Sequence, residues 1–214
     1  MSPLLRSLLL TLVVLLGGRS LVHAQNASAV FERLQSTYDA VDVLGATFTQ
    51  TSTSSYSDAP EVFSGTLLLS GDRYRIETGA QTFVTDGVVT WIYLADQRQV
   101  VINDYVEDET AFSLNTFFAT YPERYTAGTT ELTQLDGEQH YLLTLQPREA
   151  DAFFRQVRLW MRDRDNLVTR LEVTDVNETV MTFDLGDITL NPPLSADTFQ
   201  FTPPEDAELI DLRL

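Results

Sequence analysis

The sequence predicts a mainly β (α+β) domain in which one strongly curved antiparallel sheet carries helices across its concave, apolar face. Short runs of alternating apolar and polar residues recur along the chain, and turn signals separate them. Two further stretches have apolar residues at helical spacing. No repeat and no linker divides the chain, so we expect a single domain at 25–214.

The first 24 residues are typical of a signal peptide. Arg6 supplies a positive start, an apolar run extends from Leu8 to Leu16, and Val22-His23-Ala24 is a small-residue cleavage pattern. The apolar run is too short to cross a bilayer comfortably. We therefore expect residues 1–24 to be cleaved, and the mature chain to be exported without stable membrane insertion.

A first helix is predicted after Asn26 or Ser28, either of which can cap it. Its apolar side consists of Val30, Phe31, Leu34 and Tyr38. The alternation of Ala46, Phe48 and Gln50 then predicts a strand, which a polar loop at 51–60 follows.

The central stretch, Gly65 to Ile102, contains the strongest hairpin signal. Asp86-Gly87 is predicted to be a two-residue loop, which places Val84 opposite Val89. Alternation puts Arg73, Arg75 and Glu77 on a polar, solvent-facing side of the predicted sheet. The opposite, apolar side is predicted to hold Leu67, Leu69, Tyr74, Ile76, Thr82, Val84, Val89, Trp91 and Tyr93.

A second helix is predicted from an aromatic stripe at helical spacing that stops at Pro122. The stripe consists of Leu114, Phe117, Phe118 and Tyr121. Further strands are predicted at Tyr141, Leu143 and Leu145; Val157, Leu159 and Met161; Leu171 and Val173; Met181, Phe183 and Leu185; and Phe199 and Phe201. The total is nine to eleven strands.

The search for catalytic or metal-binding motifs is negative. His140 is the one histidine outside the signal, and we expect it to be an exposed strand residue facing away from the apolar side. The chain has no cysteine, so thiolate chemistry and disulfides are excluded. No cofactor and no metal is predicted. On pattern alone an ordinary packed core is the simpler interpretation of the apolar face, and a ligand cavity stays open as the alternative.

The charge of the chain excludes partners that need a basic surface. The formal charge is −17, and every basic residue is an arginine. Removal of Arg6 and Arg19 with the signal would leave 12 basic and 31 acidic residues, a charge of −19. Such a surface repels nucleic acid and anionic lipid headgroups.

Several short motifs, in order, resemble the outer-membrane lipoprotein carrier protein (LolA) family. They are Phe48-Thr49-Gln50, Gly65-Thr66-Leu67, Asp72-Arg73-Tyr74-Arg75-Ile76, Val84-Thr85-Asp86-Gly87, Trp91-Ile92-Tyr93, Phe199-Gln200-Phe201-Thr202-Pro203-Pro204 and Ile210-Asp211-Leu212-Arg213. The stretch Val157-Arg158-Leu159-Trp160 and the ending Asp211-Leu212-Arg213 resemble the Bacteroidetes-type branch.

The resemblance implies an unclosed β-barrel covered by helices, with an apolar cavity between them. It implies a monomeric periplasmic chaperone, not an enzyme, that takes acylated lipoproteins from an inner-membrane ABC lipoprotein-releasing transporter to the outer membrane. Whether an outer-membrane acceptor exists stays open. Two alternatives also stay open, a periplasmic lipid or lipoprotein sensor of the same fold and an exported hydrolase that works through paired carboxylates.

The resemblance also assigns residues to roles. The lipid-binding cavity would be lined by Phe48, Leu67, Leu69, Tyr74, Ile76, Val84, Val89, Trp91, Tyr93, Tyr141, Leu143, Leu145, Val157, Leu159, Leu171, Val173, Met181 and Phe183. The lid would consist of Val30, Phe31, Leu34, Leu114, Phe117, Phe118 and Tyr121. Partner docking is assigned to Tyr74, Arg73 and Arg75. Where the family has an arginine that holds the lid shut, this chain has Ser70-Gly71, and Arg73 and Arg75 are the candidates to replace it.

Overall fold

A computed structural model describes residues 27–54, 56–57, 59–106 and 123–213 of the protein. The predicted signal peptide and the predicted second helix at Leu114 to Tyr121 lie outside the described residues. The described elements are α1 (Ala27–Tyr38), β1 (Leu44–Thr53), β2 (Glu61–Ser70), β3 (Arg73–Thr78), β4 (Gln81–Thr85), β5 (Val89–Leu94), a 3₁₀ turn (Ala95–Gln97), β6 (Gln99–Asp104), β7 (Tyr125–Leu135), β8 (Glu138–Pro147), β9 (Phe154–Arg162), β10 (Val168–Asp175), β11 (Val180–Leu190) and β12 (Glu208–Asp211).

All twelve of these strands form one sheet, in the order β12-β6-β5-β4-β3-β2-β1-β11-β10-β9-β8-β7. Every pairing is antiparallel except that of β12 with β6, which is parallel. In the described part of the chain, the two end strands β12 and β7 do not pair with each other, so the sheet is not closed. The predicted mainly β protein built on an unclosed antiparallel sheet is confirmed, whereas the covering of its concave face by helices stays a prediction.

The strands differ from the prediction in three places, one of which is β12 (Glu208–Asp211), which was not predicted. Strand β7 was not predicted, because its sequence, YTAGTTELTQL, is too polar to show an apolar alternation. The alternation at Phe199 and Phe201 wrongly predicted a strand. The backbone of these residues belongs to no strand, and the Phe199 side chain is buried on one face of the sheet instead.

The predicted hairpin at Asp86-Gly87 exists, but its register is two residues away from the prediction. Thr85 pairs with Thr90, and Val84 pairs with Trp91 rather than with Val89. The Asp86 carboxylate accepts hydrogen bonds from the backbone N–H groups of Val88 and Val89, at 2.9 and 2.8 Å. This side-chain turn lengthens the loop. Because the shift is by two residues, Val84, Val89 and Trp91 still share one side of the hairpin, as predicted.

A bulge where β1 pairs with β11 bends the sheet. Gly45 pairs with Thr189 but Thr47 pairs with Gly186, so β11 has an extra residue there, and its Asp187 has a φ of 45°. Bulges of this kind increase the local twist and curvature of a sheet.

Helix α1 packs on the face of the sheet that carries the main core, here called the inner face. Val30 and Leu34 of α1 are fully buried, and Phe31 is 5% exposed. They belong to the same apolar cluster as the side chains of β1, β2 and β8 to β11. The predicted apolar side of this helix is confirmed, since Tyr38 also packs against the cluster.

Candidate functional site: the inner face of the sheet

Fourteen of the residues predicted to line a cavity share the inner face, as the pairing registers require. They are Phe48, Leu67, Leu69, Tyr74, Ile76, Tyr141, Leu143, Leu145, Val157, Leu159, Leu171, Val173, Met181 and Phe183. All of them belong to the core cluster or pack against it. Their common side is therefore as predicted, whereas a role in lipid binding stays a prediction.

The remaining four, Val84, Val89, Trp91 and Tyr93, lie on the opposite, outer face, so their predicted common side with Tyr74 and Ile76 is wrong. Ile76 pairs with Phe83, and Arg75 pairs with Val84. Side chains of directly paired residues point to the same side of a sheet. Val84 therefore lies beside Arg75 on the outer face, with Trp91 as its partner on β5.

Because the wrong side of these strands was predicted to be the inner one, three residues of the inner face, Phe83, Ile92 and Val101, were missed. Phe83 on β4 pairs with Ile92 on β5, and Ile92 pairs with Val101 on β6. A two-residue turn at Gly79-Ala80 would have identified them from the sequence, because it places Ile76 opposite Phe83. The inner face thus continues from Ile76 across Phe83 and Ile92 to Val101. We call these four residues the apolar row.

The inner face is filled unevenly. On β8 to β10, Leu145, Leu159 and Leu171 are completely buried. The apolar row is only half-buried, and so are Met181 and Phe183 on β11. Phe63, on the inner face beside Gln50, is 50% exposed. The inner face of β1, β2 and β8 to β10, here called the packed half, is therefore an ordinary core, whereas the apolar row, Met181, Phe183 and Phe63 are covered incompletely by the described residues.

Two polar contacts fix α1 over the packed half. The Arg33 guanidinium donates to the Asp163 carboxylate at 3.0 Å and to the Asn166 side-chain oxygen at 2.6 Å, and it lies 5.2 Å from the centre of the Tyr141 ring. At the end of the helix, the Val168 backbone N–H donates to the Tyr38 hydroxyl oxygen at 3.1 Å. Burial raises the pKa of Tyr38 to about 12. Of the predicted lid, the part on α1 is thus clamped to the loop between β9 and β10.

The residues assigned to docking lie on different sides of β3. Tyr74 is half-buried on the inner face, whereas Arg73 and Arg75 are on the outer face and hold the segment that precedes β12. Arg73 lies 4.9 Å from the Phe199 ring centre, and Arg75 donates to the backbone oxygens of Thr198 and Gln200, each at 3.4 Å. The predictions that these residues dock a partner or replace the family's lid-holding arginine stay predictions.

This C-terminal segment completes a second, smaller core on the outer face. Val84 and Val100 are fully buried, Ile102 is 9% exposed and Phe199 is 5% exposed. The Tyr93 and Phe201 rings stack at 5.8 Å between centres. Strands β4 to β6 are therefore apolar on both faces.

His140 is on the outer side, as predicted, but it is buried rather than exposed. It is 2% exposed, with Nδ1 3.0 Å from the Glu138 backbone oxygen and Nε2 2.8 Å from the Thr169 hydroxyl. Among the described residues, no group of three or more histidine, aspartate or glutamate side chains is arranged to hold a metal ion. An open cleft of about 330 Å³ runs along the exposed side of α1, and its lining includes Glu32 and Asp39, which makes it unsuited to an apolar guest.

Comparisons with known proteins find one solved structure of the same fold and relatives of similar sequence. A protein from Thermus thermophilus, described as an uncharacterized conserved protein, has the same fold, with a TM-score of 0.54 at 14% identity over 87% of this chain and 99% of that one. An outer-membrane lipoprotein carrier protein from Legionella pneumophila (strain Lens) is 25% identical over 94% of this chain and 98% of its own length. One from Alkalilimnicola ehrlichii is 28% identical over 81% of this chain and 80% of its own.

The fold and its inner face define a protein built on an unclosed, apolar-lined antiparallel sheet. The family described as "Outer membrane lipoprotein carrier protein LolA" matches residues 39–202, so the chain belongs to this family. The predicted family is confirmed, and the Bacteroidetes-type branch stays a prediction. Within the described residues, no helix combines the length and the apolar character needed to cross a bilayer.

Proposed function

We propose that the protein is a periplasmic chaperone that binds the acyl chains of lipoproteins on its inner face. It would receive them from an inner-membrane ABC lipoprotein-releasing transporter and carry them to the outer membrane as a monomer. The proposal involves no catalysis. It combines family membership with one observation, the half-buried apolar row on an unclosed sheet.

The energetics of transport require such a surface. An acyl chain of ~15 methylenes costs roughly 12 kcal/mol to leave in water, at about 0.8 kcal/mol for each methylene. A polar surface cannot offset this cost. Ile76, Phe83, Ile92 and Val101 offer four adjacent apolar side chains that lose their remaining exposure when a guest chain lies on them.

The packed half and the half-buried row would have different roles. Leu145, Leu159 and Leu171 hold the sheet and α1 together, and the row, which lies on β3 to β6 of the same face, supplies the contact with the guest. Because that row is already partly covered, binding there buries less new surface than burial of a fully exposed face would. The affinity is then moderate, which a carrier needs in order to release its cargo.

The strongly acidic exterior suits a carrier that travels between two membranes. The net charge of −17 repels anionic lipid headgroups, so the loaded carrier would not adhere to a membrane between transfers.

Two neighbouring residues of β2 provide a matched test. Phe63 is 50% exposed on the inner face, and Val62 is 58% exposed on the outer face. Because both are exposed, neither Phe63→Asp nor Val62→Asp should impair folding. We expect Phe63→Asp to weaken the binding of a triacylated lipopeptide at least tenfold, because a charge would be placed against the guest chain. Val62→Asp should bind like the wild type.

The assay is titration of each purified variant with the lipopeptide, with circular dichroism to confirm equal folding. Equal binding by the two variants would remove the inner face from the proposed site. Mass spectrometry of the wild type purified from its native periplasm supplies an independent check. Recovery without any lipoprotein or other acylated molecule would contradict a carrier function.

A further inference from the structure

Thr130, on β7, carries a buried hydroxyl without a hydrogen-bond partner. Among the described residues, its Oγ1 is the buried side-chain polar atom for which the structure gives no partner. Thr130 pairs with Leu143 across the β7–β8 ladder, so its side chain is on the inner face. Buried polar groups in native proteins normally have a partner, and an exception calls for an explanation.

A structural role does not explain the hydroxyl. Thr85 lies on the same face and is fully buried, and its Oγ1 donates to the Val89 backbone oxygen at 2.7 Å and so shapes the turn after β4. The Thr130 hydroxyl makes no such contact. Valine has the same shape as threonine and an equal preference for strands, and it would fill the position without a buried, unbonded hydroxyl.

The surroundings of Thr130 limit what could bind its hydroxyl. Its partner Leu143 is 1% exposed and belongs to the core cluster. Arg158 and Arg170 point to the outer face, where they pair with Glu172 and Asp184. Arg33, which reaches the edge of the inner face at Tyr141, is paired with Asp163. A guest carboxylate would find no unpaired cation among these groups, whereas an uncharged carbonyl oxygen needs only one donor.

We propose that Thr130 is a binding residue whose hydroxyl donates a hydrogen bond to the ester or amide carbonyl at the head of a bound acyl chain. This inference rests on the proposed function and deepens it. The inner face would then bind neutral acyl esters and amides in preference to hydrocarbons of equal length and to fatty-acid anions. The hydroxyl would orient the chain, while the apolar side chains supply the affinity.

The test compares two probes, dioctanoylglycerol, which carries ester carbonyls, and hexadecane, which carries none. Each displaces a fluorescent apolar dye from the wild type, from Thr130→Val and from Thr130→Ser. We expect Thr130→Val to bind dioctanoylglycerol about 3- to 10-fold more weakly, the effect of one lost hydrogen bond, and to bind hexadecane as the wild type does. Thr130→Ser keeps the hydroxyl and should retain ester binding.

Thermal unfolding of the ligand-free variants completes the design. Thr130→Val should be at least as stable as the wild type, because it removes an unbonded hydroxyl. If both variants bind both probes like the wild type, the hydroxyl has no role in binding and bonds at most a trapped water, which overturns the inference alone. If the wild type binds neither these probes nor the lipopeptide, the proposed function fails as well.

Discussion

Gly65 occupies the closest approach between two strands, and replacing it with alanine should be strongly destabilising. A Cβ atom at Gly65 would lie 2.0 Å from the Glu77 backbone oxygen and 2.9 Å from the carbonyl carbon of the same residue. It would also lie 3.2 Å from Cε1 of Phe48. The first two atoms belong to the backbone of β3, which cannot swing away as a side chain can. Strands β2 and β3 would have to separate.

Extra atoms in a well-packed region typically cost about 1–3 kcal/mol, and a clash with backbone should reach the upper end, about 3 kcal/mol. The assay is urea unfolding of Gly65→Ala followed by circular dichroism. With a slope of about 1–3 kcal/mol per molar urea, the midpoint should fall by roughly 1–3 M.

Gly79→Ala is the matched control, because no atom lies within 4 Å of its added Cβ. Its effect should stay within about 0.5 kcal/mol, as is usual for surface substitutions. If Gly65→Ala is as stable as Gly79→Ala, the close approach of β2 and β3 does not exist in solution, and the pairing of Leu67 with Ile76 beside it also loses its basis.

Two further predictions concern the parts that flank the inner face. Tyr38→Phe should cost about 1 kcal/mol, because the Val168 N–H loses its acceptor. Since burial raises the pKa of Tyr38 to about 12, the folded protein keeps a proton that the unfolded chain releases above pH ~10. Stability should therefore fall between pH 10 and 12 in the wild type and fall less in Tyr38→Phe, which urea midpoints at pH 8 and 11 would show; equal falls would contradict this. Phe199→Ala should cost about 3–5 kcal/mol and speed proteolysis of the C-terminal segment, and an unchanged cleavage rate would show that the segment is held without this ring.

The sequence predicted the packed half of the inner face well because the opposite side of its strands β9 and β10 carries polar residues. Leu159 follows Arg158, and Leu171 lies between Arg170 and Glu172. Burial on one face only leaves a strict period of two, which the sequence shows directly. The same reasoning recovered the apolar side of α1, where a period of 3.6 is equally clear.

Strands β4 to β6 gave no such signal, because the fold covers both of their faces. Val84 and Val100 are buried on the outer face, where Phe201 of the C-terminal segment stacks on Tyr93, while Phe83 and Ile92 belong to the inner face. A strand that is apolar on both sides has no polar side to identify its direction. Larger aromatic residues then suggested the wrong side. The covering segment comes much later in the chain, so no local pattern could indicate it.

The number of residues in each turn, rather than the character of the side chains, could have shown which face each residue of β4 to β6 lies on. Ser70 pairs with Arg73 around Gly71-Asp72, and Leu135 pairs with Glu138 around Asp136-Gly137, so both are two-residue loops. At Asp136-Gly137 both residues have positive φ, 52° and 80°, as this turn requires. Asp86-Gly87 has the same composition but lies in a longer loop, because the Asp86 carboxylate accepts hydrogen bonds from the backbone N–H groups of Val88 and Val89.

The apolar row therefore depends on a feature far from it in the sequence. Arg73 and Arg75 hold the C-terminal segment on the outer face of β3, and the alternate positions Tyr74 and Ile76 belong to the inner face. Side chains on the two faces belong to the same strand, so contacts that fix one face also fix the position of the other. Because the outer core of Val84 and its neighbours fixes β4 to β6, the row can stay half-buried without collapsing. Rigid support from behind lets a sheet keep apolar surface available for a guest.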